Sequence, residues 1–196
     1  MERVPAPGRA GCRAAAPRCA GAQPARRDAA FVPSHPGCGR GLARLRPPGG
    51  IDPDAARSDR AVDGAPRLVS FVDALPRSAR VSVVCHSYGS VVCAHAAPHL
   101  RITDLVAVGS PGMDVWSRAA LGTKADVWAG IAPDDPIGLV PHTRVEGFGH
   151  AADPTSPGFG ANALPVGGAH GHNGYLVAGT ESLRAIALLA TGHRPS

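Results

Sequence analysis

The stretch that decides the fold is Arg80-Val-Ser-Val-Val-Cys-His-Ser-Tyr-Gly89. Its first half is mostly apolar, as in a buried strand, and its second half places a serine between two larger residues and ahead of a glycine. A serine hydroxyl attacks acyl carbonyls when a sharp strand-to-helix turn lifts it clear of the sheet and towards a base. The stretch therefore predicts a nucleophile elbow with Ser87 at its tip. Cys85 occupies the position that the G-x-S-x-G pattern gives to its first glycine.

Strands and helices alternate on both sides of this elbow. An apolar face of Leu68, Phe71, Val72 and Leu75 predicts a preceding helix that Asp63 caps, with Pro66 in its first turn. Alternation of this kind indicates an α/β fold with a doubly wound, mostly parallel sheet. The other predicted elements are strands at 80–84, 104–109 and 124–132, a weaker strand at 143–147, a helix at 89–97, a short helix from Asp114 to Ala120, and a closing helix capped by Thr180.

The chain of 196 residues is long enough for one domain. Residues 1–46 consist mainly of Ala, Pro, Arg and Gly and show neither a helical nor a strand period. Such a segment cannot bury enough apolar area to offset its conformational entropy, so we predict that it is disordered or irregular. Residues 47–196 are predicted to form the folded domain.

Positive charge is concentrated at the N-terminus. Residues 1–50 hold nine arginines against Glu2 and Asp28, a balance of +7, while the rest of the chain has a balance of −2. The basic segment lacks interleaved aromatic residues and lysines, so we expect no nucleic-acid partner. There is no apolar stretch long enough for a signal peptide or a membrane span, which predicts a soluble, cytoplasmic protein without a membrane span.

The cysteines suggest neither a disulfide framework nor a zinc site. Their number is odd, no CxxC pair is present, and their spacing does not resemble that of metal ligands. Cys85 and Cys93 lie in apolar surroundings, so we expect them to be inert thiols in the core. We expect no cofactor and no bound metal.

Two neighbouring carboxylates follow the third predicted strand. They lie in Ala132-Pro-Asp-Asp-Pro-Ile137, where a loop would carry them to the end of the sheet at which Ser87 sits. Asp135 is favoured over Asp134 as an orienting acid, because Pro136 restricts the backbone of the residue before it. The alternative is that both are ordinary turn residues.

Five histidines downstream are candidates for the base: His142, His150, His170, His172 and His193. His172 is favoured because it lies close to the last helix, in a loop that can place an imidazole over the elbow, and His150 is the second choice. Both His150 and His172 belong to a long Gly- and Pro-rich loop at 148–173, a length that usually marks a functional or disordered segment. His170 and His172 could instead form a pair of metal ligands, a weaker alternative because no third ligand has a fixed spacing to them.

The order Ser, Asp, His along the chain is the order in which α/β-hydrolases supply their catalytic groups. The residues therefore predict a serine hydrolase of the esterase or lipase type that cleaves an ester or amide of a small acyl substrate. Ser87 would be the nucleophile, His172 the base and Asp135 the acid, while the Tyr88 backbone N–H would be one oxyanion donor.

Seven stretches between about Pro47 and Gly192 carry a family resemblance: 47–56, Val83-Val-Cys-His-Ser-Tyr-Gly-Ser90, Asp104-Leu-Val-Ala-Val-Gly-Ser-Pro-Gly112, 126–130, 135–137, 159–161 and Gly171-His-Asn-Gly-Tyr-Leu176. Through these stretches the chain resembles an α/β-hydrolase family that is found mainly in actinobacteria and has long been known as a domain of unknown function. The resemblance implies Ser87 as nucleophile, Asp135 as acid and His172 as base, and it implies no particular substrate.

The chain departs from this family in two places. The family elbow reads Gly-His-Ser-Tyr-Gly, and here Cys85 replaces its first glycine. The early strands and the loop with the second oxyanion N–H precede the elbow in that fold, and residues 1–46 do not resemble them. We therefore expect the C-terminal part of the fold only, with a catalytically impaired fragment or a hydrolase-like binding module as alternatives to an active enzyme.

Overall fold

The computed structural model of the chain describes residues 29–33, 57–143 and 149–196. In these residues a five-stranded sheet and a two-stranded sheet are accompanied by three α-helices and several short 3₁₀ helices. The strands are β1 Ala29–Pro33, β2 Val81–His86, β3 Asp104–Val108, β4 Gly112–Val115, β5 Asp126–Gly130, β6 His150–Ala151 and β7 Asn162–Ala163, and the helices are α1 Asp59–Asp73, α2 Gly89–Ala96 and α3 Glu181–Ala190.

The larger sheet has the strand order β1-β2-β3-β5-β7. Strands β2, β3, β5 and β7 run parallel, and β1 is antiparallel to β2. The prediction of an α/β fold with a mostly parallel sheet is confirmed. Because Val108 pairs with both His86 and Gly130, the carboxyl ends of β2, β3 and β5 lie at one edge. Ligand sites of open α/β sheets form at this edge.

Helices cover both faces of the sheet. One apolar cluster joins alternate residues of β2, among them Val83 and Cys85, to helices α1 and α2. A second cluster joins Val84 and Val106 to Ile186 and the rest of the inner face of α3. Every residue of β2 is buried, since both faces are covered, which explains why its sequence is mostly apolar, with Ser82 and His86 as the polar members.

Helix α1 begins earlier than the sequence indicates. It starts at Asp59, after Ser58, so Asp63 lies within it and Pro66 lies in its second turn. The predicted start was wrong because the buried face also uses Ala61 and Gly64, small residues that give little hydrophobic signal. The predicted cap of the last helix is present, since the Thr180 hydroxyl accepts a hydrogen bond from the Leu183 N–H.

The predicted helix from Asp114 to Ala120 is absent. The chain forms β4 there, followed by a 3₁₀ helix at Arg118–Leu121. Asp114 has a φ of 55°, and its carboxylate is hydrogen-bonded to Nδ1 of His150 (2.9 Å) and Nε2 of His95 (2.8 Å). These long-range hydrogen bonds replace the local capping role that the sequence suggested.

Strands also occur where the sequence predicts none. β6 and β7 lie within the predicted loop at 148–173, and β1 lies within the segment 1–46 that was predicted to be disordered or irregular. Nothing in the sequence indicated β1, because within residues 29–33 only Phe31 and Val32 favour strands and two residues give no periodic signal. The rest of segment 1–46, and residues 144–147 of the predicted strand at 143–147, lie outside the described residues.

The hydrogen-bonded group around Asp114 leads to a prediction about acid stability. Burial opposes ionisation, but the hydrogen bonds with His150 and His95 outweigh it and hold the pKa of Asp114 below its ordinary value. The native state therefore gains stability from this carboxylate above about pH 4, the range in which the unfolded chain ionises it, and loses that gain as the pH falls further. We expect Asp114→Asn to lower the free energy of unfolding at pH 6, with a deficit that shrinks towards pH 3. Urea titrations at several pH values measure this, and a deficit independent of pH would contradict it.

Candidate active site

Ser87 lies at a sharp turn between β2 and α2, at the carboxyl edge of the sheet. Its φ of 54° belongs to the left-handed region, which is uncommon for a serine. The turn is fixed on both sides, because the Ser87 N–H donates to the carbonyl of Val108 (3.1 Å) and the Ser90 N–H donates to the carbonyl of Ser87 (3.0 Å). This strained strand-to-helix turn is the geometry that a nucleophile elbow requires.

The structure brings the three predicted residues Ser87, His172 and Asp135 into one hydrogen-bonded chain. The Ser87 Oγ lies 2.8 Å from His172 Nε2. The His172 Nδ1 lies 2.9 Å from Asp135 Oδ1 and 3.1 Å from Oδ2. A neutral imidazole with its proton on Nδ1 would donate to the carboxylate and accept from the serine hydroxyl. The arrangement can therefore remove a proton from Ser87 and stabilise the imidazolium that results.

Asp135 is held rigidly at the start of a short helix. It is the N-cap of the 3₁₀ helix Pro136–Leu139, and its Oδ1 accepts a hydrogen bond from the Ile137 N–H (2.9 Å). Its backbone is extended, with φ −75° and ψ 117°, as expected for a residue that precedes proline. The side chain is fully buried, so its contact with His172 is shielded from water.

Asp134 contacts the backbone of the histidine loop instead of the His172 ring. Its Oδ1 accepts a hydrogen bond from the Gly171 N–H (2.8 Å), and its Oδ2 lies 3.2 Å from His170 Nδ1. The Gly171 N–H holds the pKa of the Asp134 carboxyl below its ordinary value. The two neighbouring aspartates therefore hold the same loop in different ways.

His86 contacts both the backbone and the ring of His172. Its Nε2 lies 2.5 Å from the carbonyl oxygen of His172, and the centroids of the two rings are 4.6 Å apart. Because the carbonyl can only accept, His86 Nε2 must be the donor. Among the described residues, no backbone carbonyl accepts the Tyr88 N–H at the start of α2. That N–H remains a predicted oxyanion donor.

The other candidate histidines do not contact Ser87. His150 is buried and hydrogen-bonded to Asp114, with its ring against the edge of Tyr88. His142 lies 3.9 Å from Asp153, and His193 contacts Thr191. Within the described ranges no three side chains of His, Cys, Asp or Glu come together as metal ligands.

Cys85 and Cys93 are joined by a disulfide, which corrects the prediction of two free core thiols. Helix α2 folds back along β2, so residues eight positions apart come to face each other with a Cα–Cα distance of 6.4 Å. The spacing matches no familiar cysteine motif, and this is why the sequence did not reveal the bond. Ser87 lies inside the closed loop, so the disulfide joins the strand and the helix on either side of it.

We predict that this disulfide contributes measurably to stability. Closing a loop of about nine residues restricts the unfolded chain by about 2 to 3 kcal/mol. Cys93→Ala should lower the free energy of unfolding by that amount in a urea titration. Reductant should lower the unfolding midpoint of the wild type and leave that of the variant unchanged. Two alkylatable thiols at Cys85 and Cys93 in the unfolded, non-reduced wild type would contradict the prediction.

Several contributors to the site were missed from the sequence. Tyr175 donates a hydrogen bond to Asp135, His86 holds the His172 carbonyl, and Gly109 leaves room for the Asp135 side chain. Two signals were available: His86 and Tyr175 lie close to Ser87 and His172 in the sequence, and all three contributors belong to stretches that carry the family resemblance.

A parallel sheet flanked by helices, with a serine at a strained turn and an Asp–His pair beside it, defines the class of α/β hydrolases. The family model described as alpha/beta hydrolase matches residues 42–145, and the chain belongs to this family. The match includes Ser87 and Asp135, while His172 lies beyond it.

The chain is also similar to two uncharacterized proteins from two strains of Mycobacterium tuberculosis. Each is 30% identical to this chain, over 58% of this chain and 21% of the relative. The chain thus spans about a fifth of the length of the relatives it matches. No solved structure matches it significantly. In the described part of the chain, no helix is both long and apolar enough to span a membrane.

Proposed function

We propose that this chain is a serine hydrolase of the esterase type, which cleaves an ester or amide of a small acyl substrate. The single observation that carries the proposal is the continuous hydrogen-bonded chain from Ser87 Oγ through His172 to Asp135. Family membership supports it, because α/β hydrolases present their nucleophile at this turn.

The first half of the reaction transfers the acyl group to the enzyme. His172 Nε2 takes the proton of Ser87 as Oγ forms a bond to the acyl carbon, and the carbonyl oxygen becomes an oxyanion. The Tyr88 N–H is placed at the positive end of α2 and would donate to that oxygen. When the oxyanion collapses, the bond to the leaving group breaks and His172 returns the proton to that group.

The second half releases the product. A water molecule replaces the leaving group, His172 takes one of its protons, and the hydroxide attacks the acyl carbon. The bond to Ser87 Oγ then breaks, Oγ regains its proton from His172, and the acid leaves. Asp135 holds the imidazole ring in place throughout and stabilises its positive form.

The reaction requires no cofactor, and we expect none. The sequence-based expectation of a cytoplasmic protein is opposed by the disulfide. Disulfides are rare in the cytosol and persist in oxidising compartments, so a disulfide at Cys85–Cys93 and a cytosolic location are not both expected. Alkylating the thiols in intact cells before lysis would show whether the bond exists in the native compartment.

Hydrolysis of p-nitrophenyl esters tests the proposed function. With acetyl, butyryl and octanoyl esters we expect turnover that saturates with substrate, and an initial burst of p-nitrophenol wherever deacylation is the slower half. The control is the same protein carrying Ser87→Ala. A folded wild-type chain that binds the esters without releasing p-nitrophenol above the control would overturn the proposal and favour a hydrolase-like binding module.

A further inference from the structure

We propose that Tyr175 is a positioning residue of this site, acting on the reaction through Asp135. This inference rests on the proposed serine-hydrolase function. It adds Tyr175 to Ser87, His172 and Asp135 as a fourth residue on which that function depends. The ring of Tyr175 is buried in the apolar cluster beneath α3, and its hydroxyl reaches Oδ2 of Asp135. Tyr175 itself contacts neither Ser87 nor, in the proposed mechanism, the reacting atoms.

The direction of the hydrogen bond at Tyr175 is fixed by its partners. The hydroxyl oxygen accepts the backbone N–H of Ala132 at 2.9 Å, so its single proton is free to point at Asp135 Oδ2, 2.5 Å away. An ionised carboxylate can only accept. Burial, followed by the contact with Asp135, raises the pKa of Tyr175, so the phenol keeps its proton and remains a donor at every pH at which the enzyme would work.

Each oxygen of the Asp135 carboxylate accepts a hydrogen bond from a different donor. The Ile137 N–H binds Oδ1 and Tyr175 binds Oδ2, which leaves both oxygens directed at His172 Nδ1. The carboxylate therefore cannot rotate about its last bond without losing one of the two. A side chain held in this way keeps the imidazole in one orientation, on which proton transfer from Ser87 depends.

The backbone makes room for this pair. Gly109, the residue after β3, has a φ of 56°, and a Cβ there would lie 2.9 Å from Asp135 Oδ2 and 3.0 Å from Tyr175 Cε2. A substitution at Gly109 would push against the contact between the acid and the phenol. Tyr175 thus fills the space beside the Asp135 carboxylate and excludes water from Asp135 Oδ2.

The hydrogen bond from Tyr175 also has a defined electrostatic effect. It draws charge away from the carboxylate, so removing it lets Asp135 hold a protonated His172 more strongly. Among the described residues, the other ionisable groups close to Asp135, Tyr175 and His172 are His86, whose ring lies against His172, and Asp134 on the same loop as Asp135. Both residues are retained in Tyr175→Phe, and the variant keeps the aromatic ring whose centroid lies 5.9 Å from that of His86. A shift in the pH dependence of activity would therefore report the loss of the phenol hydroxyl.

The test compares Tyr175→Phe with wild type in p-nitrophenyl ester hydrolysis across pH. We expect kcat to fall about 10- to 100-fold with KM changed less than about threefold, as for the loss of a hydrogen bond to a charged group. We expect the acid limb of the kcat/KM profile to move to higher pH by about half a unit or more. Ser82→Ala is the matched control, because it removes another buried hydroxyl that donates to a carboxylate, that of Asp104, at the opposite end of β2.

A second measurement does not depend on turnover. The His172 imidazole can be followed against pH by NMR, and its titration midpoint should move upward in Tyr175→Phe and stay in place in Ser82→Ala. The two proposals can fail separately. If the wild-type protein does not hydrolyse esters but the His172 midpoint still moves upward in Tyr175→Phe, the proposed function has failed and the link from Tyr175 through Asp135 to His172 stands. An unchanged midpoint, or an active variant whose kcat and acid limb match those of wild type, would overturn the role of Tyr175.

Discussion

Replacing Ser87 with alanine is expected to lower kcat for p-nitrophenyl esters roughly 10⁴- to 10⁶-fold, with the fold intact. The loss is large because the proposed mechanism makes Ser87 Oγ the atom that bonds to the acyl carbon. Without it, His172 has no nucleophile to activate, and only oxyanion stabilisation and substrate binding remain. The left-handed backbone at residue 87 also imposes strain on alanine, so stability must be measured beside activity.

The control for Ser87→Ala is Ser82→Ala, which removes a serine of strand β2 five residues earlier and away from the site. Its turnover should stay within a few-fold of the wild-type value. Urea titrations of both variants would separate loss of chemistry from loss of fold. Ester hydrolysis that persists in a folded Ser87→Ala protein would show that another group carries the reaction.

The second large effect separates two neighbouring aspartates. Asp135→Asn is expected to lower kcat by about 10⁴-fold, because an amide can donate to His172 Nδ1 and so favours the wrong imidazole tautomer. Asp134→Asn keeps an oxygen that can accept the Gly171 N–H, and it never contacts the His172 ring. We expect it to change kcat by less than about tenfold.

Asp134→Asn is the matched control for Asp135→Asn, since each variant removes one carboxylate from the same loop. Measuring kcat and KM for each against the same ester decides the assignment. Equal losses in the two variants, or a greater loss in Asp134→Asn, would contradict the role given to Asp135. The sequence alone favoured Asp135 through the proline that follows it, and the structure supplies a separate contact for each residue.

The buried strands could be predicted because burial on both faces requires apolar residues that follow one another in the sequence. Strands β2, β3 and β5 are covered on both faces, so each appears as a short, mostly apolar run. Helix α1, before β2, is marked by an apolar face, and helix α3, after β7, is marked by a capping threonine. Chain order and local context also pointed to Ser87, Asp135 and His172. The structure places these three residues within hydrogen-bond distance of one another.

The remaining features depend on contacts between distant parts of the chain. Asp114 forms part of a strand because His95 and His150 bind its carboxylate, although by itself it resembles a helix cap. The bond between Cys85 and Cys93 depends on how α2 folds back along β2. The partners of Tyr175 lie 40 or more residues away, at Asp135 and Ala132. No local pattern encodes such pairings, so the sequence could not show them.

The most direct test of the central claim is covalent labelling with a fluorophosphonate, followed by peptide mapping. An activated serine displaces fluoride from this reagent and keeps the phosphonyl group, so the product marks the nucleophile by mass. The account predicts one adduct, on Ser87, that disappears in Ser87→Ala and is strongly slowed in Asp135→Asn. A folded wild-type chain that takes up no label, or an adduct that survives the loss of Ser87, would contradict it.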